Sequence, residues 1–136
     1  MRKKGVLVLL ILGLLLLMGC DNEAGRAITP LEVHGICDTW GQNTETEPEI
    51  YISIEDSKLD SIDISMDNGF LKVYPVTVSS TNQNTITGTY ENYDPEQDPN
   101  TYPIKITLFY NPPKLTVHIT GEGPLAGKKY VVEPKL

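Results

Sequence analysis

Residues 61–78 read Ser-Ile-Asp-Ile-Ser-Met-Asp-Asn-Gly-Phe-Leu-Lys-Val-Tyr-Pro-Val-Thr-Val and carry the signals of an antiparallel β-hairpin. Asn68-Gly69 is the dipeptide favoured in a two-residue type I′ turn, because both central residues need positive φ angles. Apolar and polar side chains alternate on either side of this dipeptide. Folding the chain there predicts one buried face, made of Ile62, Ile64, Met66, Leu71 and Val73.

The same pairing fixes what lies on the opposite face of this hairpin. Its outer face receives Phe70, Lys72 and Tyr74. Val76 and Val78 are then out of phase with the buried face. A one-residue bulge near Pro75 would return them to it, since proline within a sheet favours such places.

A second hairpin is predicted over residues 102–120, with its turn at Pro112-Pro113. Centring the turn there gives three buried pairs, namely Tyr110 with Leu115, Leu108 with Val117 and Ile106 with Ile119. Outward positions then go to Lys105, Thr107, Phe109, Thr116 and His118. Two prolines cannot adopt the positive φ angles of a type I′ turn, so either the Pro112–Pro113 bond is cis or the loop is wider.

The rest of the chain shows the same period of two and no convincing helical period. Weaker strands are predicted around Leu31, Val33 and Cys37, around Ile50, Ile52 and Ile54, around Ile86, Gly88 and Tyr90, and around Tyr130 and Val132. About eight short strands separated by polar turns predict an all-β domain, either a small meander barrel or a β-sandwich. The sequence leaves these two architectures open.

The first twenty residues have a different character. Arg2, Lys3 and Lys4 precede an apolar run over residues 6–17, which leads into Leu17-Met18-Gly19-Cys20. This is the layout of a secretory signal peptide. A transmembrane helix is the alternative, but it needs about 20 apolar residues, and polar residues begin at Asp21.

Leu17-Met18-Gly19-Cys20 resembles the lipobox of bacterial lipoproteins. That resemblance implies cleavage between Gly19 and Cys20, lipidation of Cys20 and attachment to a membrane of the cell envelope. The predicted organisation is a signal peptide (1–19), a lipidated cysteine with a flexible tether (20–30) and one all-β domain (31–136). Asp21 resembles the inner-membrane retention signal of some Gram-negative bacteria, but similar acidic starts occur in surface-exposed lipoproteins, so both locations stay open.

Charge limits the partners of the mature chain. Residues 20–136 contain eight Lys and Arg against 18 Asp and Glu, a formal net charge of −10. Such a domain is repelled by phosphate backbones and by anionic lipid surfaces. We therefore expect no nucleic-acid partner, and membrane contact through the lipid on Cys20. With Cys20 lipidated, Cys37 has no partner within the chain, which favours a small buried side chain over a thiol for intermolecular bonding.

Residues that could support chemistry lack the patterns that chemistry requires. Asp94–Asn100 alternates oxygen side chains as a calcium loop begins, but Pro99 occupies the glycine position and Lys105 the position of the bidentate glutamate. The loop over Glu45, Glu47 and Glu49 is predicted to be solvated, as is Asp94–Asn100. His34 and His118, predicted on outward strand positions, have no third ligand or nucleophile at a recognisable spacing. We predict no enzyme, no metal site and no cofactor.

Aromatic residues are the better functional candidates. Trp40 either plugs one end of the core or lines a pocket. The predicted outer faces carry Tyr51, Phe70, Tyr74 and Phe109, which would mark a partner surface if adjacent and a second small core if covered. The expected function is binding of a protein or envelope partner. The alternative is a carrier of a small apolar ligand, since the predicted barrel is similar in architecture to lipocalins.

Substitution of Cys20 tests the lipid anchor. We expect Cys20→Ala to move the protein from the membrane fraction to an unprocessed or soluble form, because alanine cannot form the thioether. Cys37→Ala is the matched control and should leave the protein at the membrane, as measured by fractionation and immunoblotting. Membrane association that survives Cys20→Ala unchanged would contradict the prediction.

Overall fold

Nine β-strands and one short helix form the described part of the chain, residues 25–41, 48–67 and 69–136 of a computed structural model. Their bounds are β1 Arg26–Ala27, α1 Pro30–Ile36, β2 Thr39–Gly41, β3 Glu49–Glu55, β4 Lys58–Asp67, β5 Leu71–Asn82, β6 Thr85–Glu91, β7 Thr101–Asn111, β8 Lys114–Gly121 and β9 Lys129–Pro134. Within those residues, the only helix has seven residues, too short to span a bilayer.

The strands close into a barrel. Each strand from β2 to β9 pairs antiparallel with the next along the chain, and β2 also pairs with β9 through Trp40↔Pro134 and Gly41↔Glu133. The result is an eight-stranded antiparallel up-and-down barrel. The predicted all-β class is confirmed, and the barrel is the correct one of the two predicted architectures.

Because the strands alternate in direction, the connections fall at two ends. The helix end holds the short turns at 56–57, 83–84 and 112–113 together with α1. The loop end holds the end of β2 and the start of β3, together with the stretches between β4 and β5, β6 and β7, and β8 and β9. Arg26 pairs with Tyr110 next to the 112–113 turn, so the described chain begins at the helix end.

Large apolar side chains occupy the inward positions. An eight-stranded barrel has an interior just wide enough for side chains to fill. The largest fully buried side chains are Trp40, Tyr90, Ile28, Ile50, Ile52, Ile62, Ile64, Ile86, Ile106, Leu108, Leu115 and Ile119. Trp40 is therefore part of the core, which was one of its two expected roles.

The hairpin over residues 102–120 has the predicted register. Tyr110 pairs with Leu115, Leu108 with Val117 and Ile106 with Ile119, and all six contribute to the core or pack against it. The Pro112–Pro113 peptide bond is cis, as one of the two predicted alternatives required.

The hairpin over residues 61–78 differs from its predicted register by one residue. Asp67 pairs with Leu71, so three residues rather than two separate the paired positions. Asn68, half of the predicted turn, lies outside the described residues; Gly69 has φ +84° and donates its N–H to the Asp67 carboxylate over 2.9 Å.

A shift of one residue exchanges the two faces of a strand. Leu71 and Val73, predicted inward, are therefore exposed, while Tyr74, predicted outward, is buried. Val76 is in phase with Tyr74 and buried without the expected bulge near Pro75. The register shift on β5 lies instead between Val78 and Ser80, opposite β6.

The predicted strand over Leu31, Val33 and Cys37 is wrong. These residues form α1 and its end, because Thr29 and Glu32 make a capping box and Pro30 occupies the first turn. Glu32 N–H donates to Thr29 Oγ1, and Thr29 N–H donates to the Glu32 carboxylate. The cap satisfies amide groups that an isolated seven-residue helix would leave unpaired.

The boundary of the domain also moves. Residues 26–30 were expected to belong to the tether, but Arg26 and Ala27 pair with β7, and Ile28 is fully buried. The folded domain therefore includes these residues. Gly25 packs so closely that an added Cβ would lie 2.3 Å from the Tyr110 carbonyl oxygen.

Two glycine substitutions test the packing of the barrel wall. A Cβ on Gly88 would lie 2.2 Å from the Thr77 carbonyl oxygen, so we expect Gly88→Ala to lower the free energy of unfolding by about 1–3 kcal/mol. Gly35, in α1, meets no atom within 4 Å, and Gly35→Ala should raise it by about 0.5–1 kcal/mol. Urea denaturation measures both values. Equal effects of the two substitutions would contradict the described packing.

Candidate interaction surface at the loop end

The predicted aromatic residues do not form one patch. Tyr51 lies on the outer face of β3 and Phe109 on that of β7, four strands apart in either direction around the barrel. Trp40 and Tyr74 are buried. Phe70 alone among the five is highly exposed, at 79%. Gly19 and Cys20, the predicted cleavage and lipidation residues, lie outside the described residues.

An apolar surface does occur at the loop end, and it surrounds Phe70. Leu71 is 70% exposed and Val73 37% exposed, both on the outer face of β5 directly after the turn. We call Phe70, Leu71 and Val73 the apolar tip. Neighbouring exposed apolar residues of this kind are typical of interaction sites, whereas single ones are common on any surface.

A group of tyrosines supports the tip from inside the barrel. Tyr74 makes edge contacts with Tyr90 and Tyr93, with ring centroids 5.9 and 6.0 Å away. Tyr102 packs against Tyr90 at 5.7 Å. Burial is the first cause that raises the pKa of Tyr74, of Tyr90 and of Tyr130, so these hydroxyls stay protonated at neutral pH. These ring contacts adjoin the tip, because Tyr74 follows Val73 in β5.

The connection between β8 and β9 covers these tyrosines. Leu125 is fully buried, and its N–H donates to the Tyr90 hydroxyl over 2.9 Å. The same hydroxyl donates to the Glu122 carbonyl over 2.8 Å. Gly121-Glu122-Gly123-Pro124 thus begins the segment that covers these tyrosines at the loop end.

Lys72 has a different environment from the predicted one. It lies on the inner side of β5, with Nζ 4.7 Å from the centroid of the Tyr93 ring. The predicted register placed Lys72 on the outer face of the hairpin. Among the described residues, the two salt bridges join Arg26 to Glu32 and Lys135 to Glu49, so neither involves Lys72.

The loop over Asp94–Asn100 uses its carboxylates to hold its own backbone and side chains. Asp94 accepts N–H groups of Glu96 and Gln97. Asp98 accepts from the Tyr102 hydroxyl over 2.5 Å, from the Asn100 backbone and side chain, and from Asn92. In the described part of the chain, no three His, Cys, Asp or Glu side chains are grouped to hold a metal ion.

The other candidates for chemistry have structural contacts. His34 is on α1 rather than on a strand, and its Nδ1 lies 2.9 Å from the Ile52 carbonyl oxygen, while His118 is outward and exposed as predicted. Glu49 pairs with Lys135 on β3 instead of lying in a loop; Glu45 and Glu47 are outside the described residues. Cys37 is partly buried, and its thiol donates to the Lys135 carbonyl over 3.1 Å.

An open groove of about 410 Å³ lies at the opposite, helix end. It runs between the start of α1 and the turns after β3 and β5. Its apolar side chains are Pro30, Leu31, Ile54, Leu59 and Val78; its polar ones are Thr29, Ser57, Lys58, Ser79, Ser80, Thr81 and Gln83. Trp40, the residue expected beside a ligand pocket, does not line it.

Comparison of the chain with protein-family models, curated proteins and solved structures gave no match.

The tip was missed from sequence because two signals conflicted. The Asn68-Gly69 dipeptide favours a two-residue turn, which buries Leu71 and Val73. Tyr74, Val76 and Val78 are apolar at every second position and favour the opposite phase. If the alternation of Tyr74, Val76 and Val78 is given more weight than the Asn68-Gly69 dipeptide, the sequence predicts the three-residue turn and the exposed tip.

The hydrogen bond between Tyr102 and Asp98 should make stability depend on pH at both extremes. This bond is the first cause that lowers the pKa of Asp98 and raises the pKa of Tyr102. A lowered carboxyl pKa stabilises the fold above the unfolded value of about 4, and a raised phenol pKa stabilises it below about 10. We expect Tyr102→Phe to destabilise the protein between these limits, with the difference vanishing as Asp98 is protonated in acid and as Tyr102 ionises in base.

Unfolding free energies across the pH range measure this difference. Tyr93→Phe is the matched control for loss of a phenol hydroxyl, since the Tyr93 hydroxyl makes no hydrogen bond in the described part of the structure. A Tyr102→Phe effect that is constant from acid to base would refute the assignment.

Proposed function

We propose that the chain is a lipid-anchored lipoprotein of the bacterial cell envelope whose barrel binds a protein partner through the apolar tip, without catalysing a reaction. The observation that carries this proposal is the exposure of Phe70 and Leu71, at 79% and 70%, in an otherwise well-formed barrel. Exposed neighbouring apolar side chains are unfavourable in water unless a partner covers them.

The position of the tip relative to the N-terminus favours a protein over the lipid bilayer as its partner. Gly25 lies at the helix end, and a tether from Cys20 to Gly25 spans at most about 17 Å. β5 has 12 residues. Because barrel strands are tilted relative to the barrel axis, a strand of this length gives a barrel about 30 Å from end to end. A barrel anchored at its helix end and standing upright would hold its loop end about 30 Å or more from its own membrane.

The pairing of Leu71 and Val73 with β4 supports the same function. Interfaces with low ordering cost use residues that are already fixed in the free protein. Leu71 and Val73 belong to a paired strand, and the adjacent Tyr74 is buried against Tyr90 and Tyr93. A partner would meet a preformed surface.

The alternative of a small-ligand carrier has less support. A carrier barrel needs unfilled interior space, whereas the inward positions here hold large, fully buried side chains. The groove of about 410 Å³ is on the outside at the helix end, and most of its lining residues are polar.

Photocrosslinking in cells tests the proposed surface. We place p-benzoylphenylalanine at position 71 and, as the control, at position 31, since Leu31 is also exposed, at 52%, but lies at the helix end. We expect a discrete protein adduct from position 71 and none of the same mass from position 31, as seen by immunoblotting and mass spectrometry. Identical adducts from both positions, or no protein adduct from position 71, would overturn the proposal.

A further inference from the structure

Strand β5 has one open edge at the loop end. β4 pairs with β5 from Asp67↔Leu71 to Ile62↔Val76, whereas β6 pairs only from Val76 onward. Residues 71–74 therefore have a neighbouring strand on one side only within the described chain. The loop that follows β6 makes its backbone hydrogen bonds within itself, from Gln97 and Asp98 to Asp94.

The direction of the backbone groups along this edge follows from the register. Ile52 N–H donates to the Asp38 carbonyl over 2.8 Å, away from β4. Successive residues of an antiparallel ladder direct their N–H and C=O groups to alternate sides. Ile52 pairs with Ile62, so Ile62 directs its groups to β5 and bonds with Val76.

The same alternation of backbone groups applies to the β4–β5 pairs that follow toward the loop end. Ile64 bonds with Tyr74, and Met66 with Lys72. Leu71 and Val73 consequently direct their N–H and C=O groups to the open edge. Pro75 lies two residues beyond Val73, so its backbone nitrogen also faces away from β4. Proline has no N–H to donate, but at this position no hydrogen bond with β4 is lost, which fits the preference of proline for edge positions.

Side chains on both faces of the edge define what can pair with it. Leu71 and Val73 are exposed on the outer face. Lys72 lies between them on the inner face, over the Tyr93 ring and outside both described salt bridges. A strand that pairs here would meet apolar groups on one face and a cation without a carboxylate partner on the other.

We infer that this edge binds an extended segment of another protein by antiparallel strand addition, and that the segment has an acidic residue between two apolar ones. Strand addition gains affinity from main-chain hydrogen bonds and specificity from alternate side chains. The apolar residues would pack on Leu71 and Val73, and the acidic residue would lie opposite Lys72. The inference rests on the proposed function for placing the partner at the loop end.

A second copy of the chain fits this edge less well. Pairing Leu71 with Val73 of the second copy would place the two Lys72 side chains directly opposite each other, and like charges in that position are destabilising. Lysine and proline on an edge are known to oppose self-association. Here Lys72 and Pro75 disfavour pairing with the same strand of a second copy, whereas a strand with an acidic residue at its centre can still pair with this edge.

A peptide of the stated chemistry tests the side-chain requirement. We titrate acetyl-Thr-Ile-Glu-Val-Thr-amide into the isotope-labelled chain 21–136, which contains all the strands and the helix that the structure describes. Amide shifts should be centred on residues 70–74. The matched peptide with Lys in place of Glu should bind about tenfold more weakly. Shifts centred elsewhere, or equal affinity for both peptides, would overturn the inference.

N-methylated peptides test the main-chain requirement without altering the protein. In the proposed pairing the Ile and Val amides of the peptide point to β5, and the Glu amide points away. N-methylation of Ile and Val should therefore abolish binding, while N-methylation of Glu should preserve it. Equal binding by both methylated peptides would show that no strand is added.

Variants of the protein complete the test. Val73→Pro removes an N–H from the open edge, and we expect it to weaken the Glu peptide about tenfold while Val73→Ala, which keeps the N–H, weakens it less. Amide spectra establish that each variant is folded. Lys72→Glu should reverse the preference to the Lys peptide. Unchanged binding by Val73→Pro, or shifts at 71–74 that depend on protein concentration without peptide, would overturn the inference.

The two proposals can fail separately. Loss of the position-71 crosslink together with normal peptide binding would contradict the proposed function in cells but not strand addition. A crosslink at position 71 that forms with unchanged yield in the Val73→Pro variant would contradict strand addition, while the tip would remain the partner surface.

Discussion

Closure of the barrel depends on β2, the shortest of the eight strands that form the barrel. β2 has three residues and joins β3 to β9 with few ladder contacts. Buried contacts around it compensate: the Trp40 side chain is fully buried, and its indole N–H donates to the Cys37 carbonyl over 2.8 Å. Lys135 N–H donates to the Thr39 carbonyl over 2.9 Å. Burial of one large aromatic side chain thus stabilises the joint on which the filled interior depends.

A closed barrel removes sheet edges only where neighbouring strands are equally long. Here β6 is shorter than both of its neighbours, so β5 extends past it at the loop end and β7 at the helix end. At the helix end, β1 pairs with the extension of β7 through Arg26 and Ala27. At the loop end, no described strand covers Leu71 to Tyr74. Among the described residues, the extension of β7 is therefore covered by another strand and the extension of β5 is not.

The two hairpins show how much of the fold is legible from sequence. Over residues 102–120 the core pattern alone fixes the register, since a shift would expose Leu108 and Val117. Over residues 61–78 the turn dipeptide was given more weight than the alternation of Tyr74 with Val76, and the register was wrong by one residue. For α1, the capping signal of Thr29, Pro30 and Glu32 is readable, but seven residues are too few for a helical period to stand out.

The candidate site was less predictable than the fold because it depends on relations between strands. Sequence placed Tyr51 and Phe109 outward, but not on opposite sides of the ring, which only the strand order determines. The apolar tip depends on one further residue in a turn. With two residues between the paired positions, Leu71 and Val73 would complete the core; with three, the same side chains face solvent beside an open edge. In this barrel, turn length decides whether an apolar pair stabilises the fold or is available to a partner.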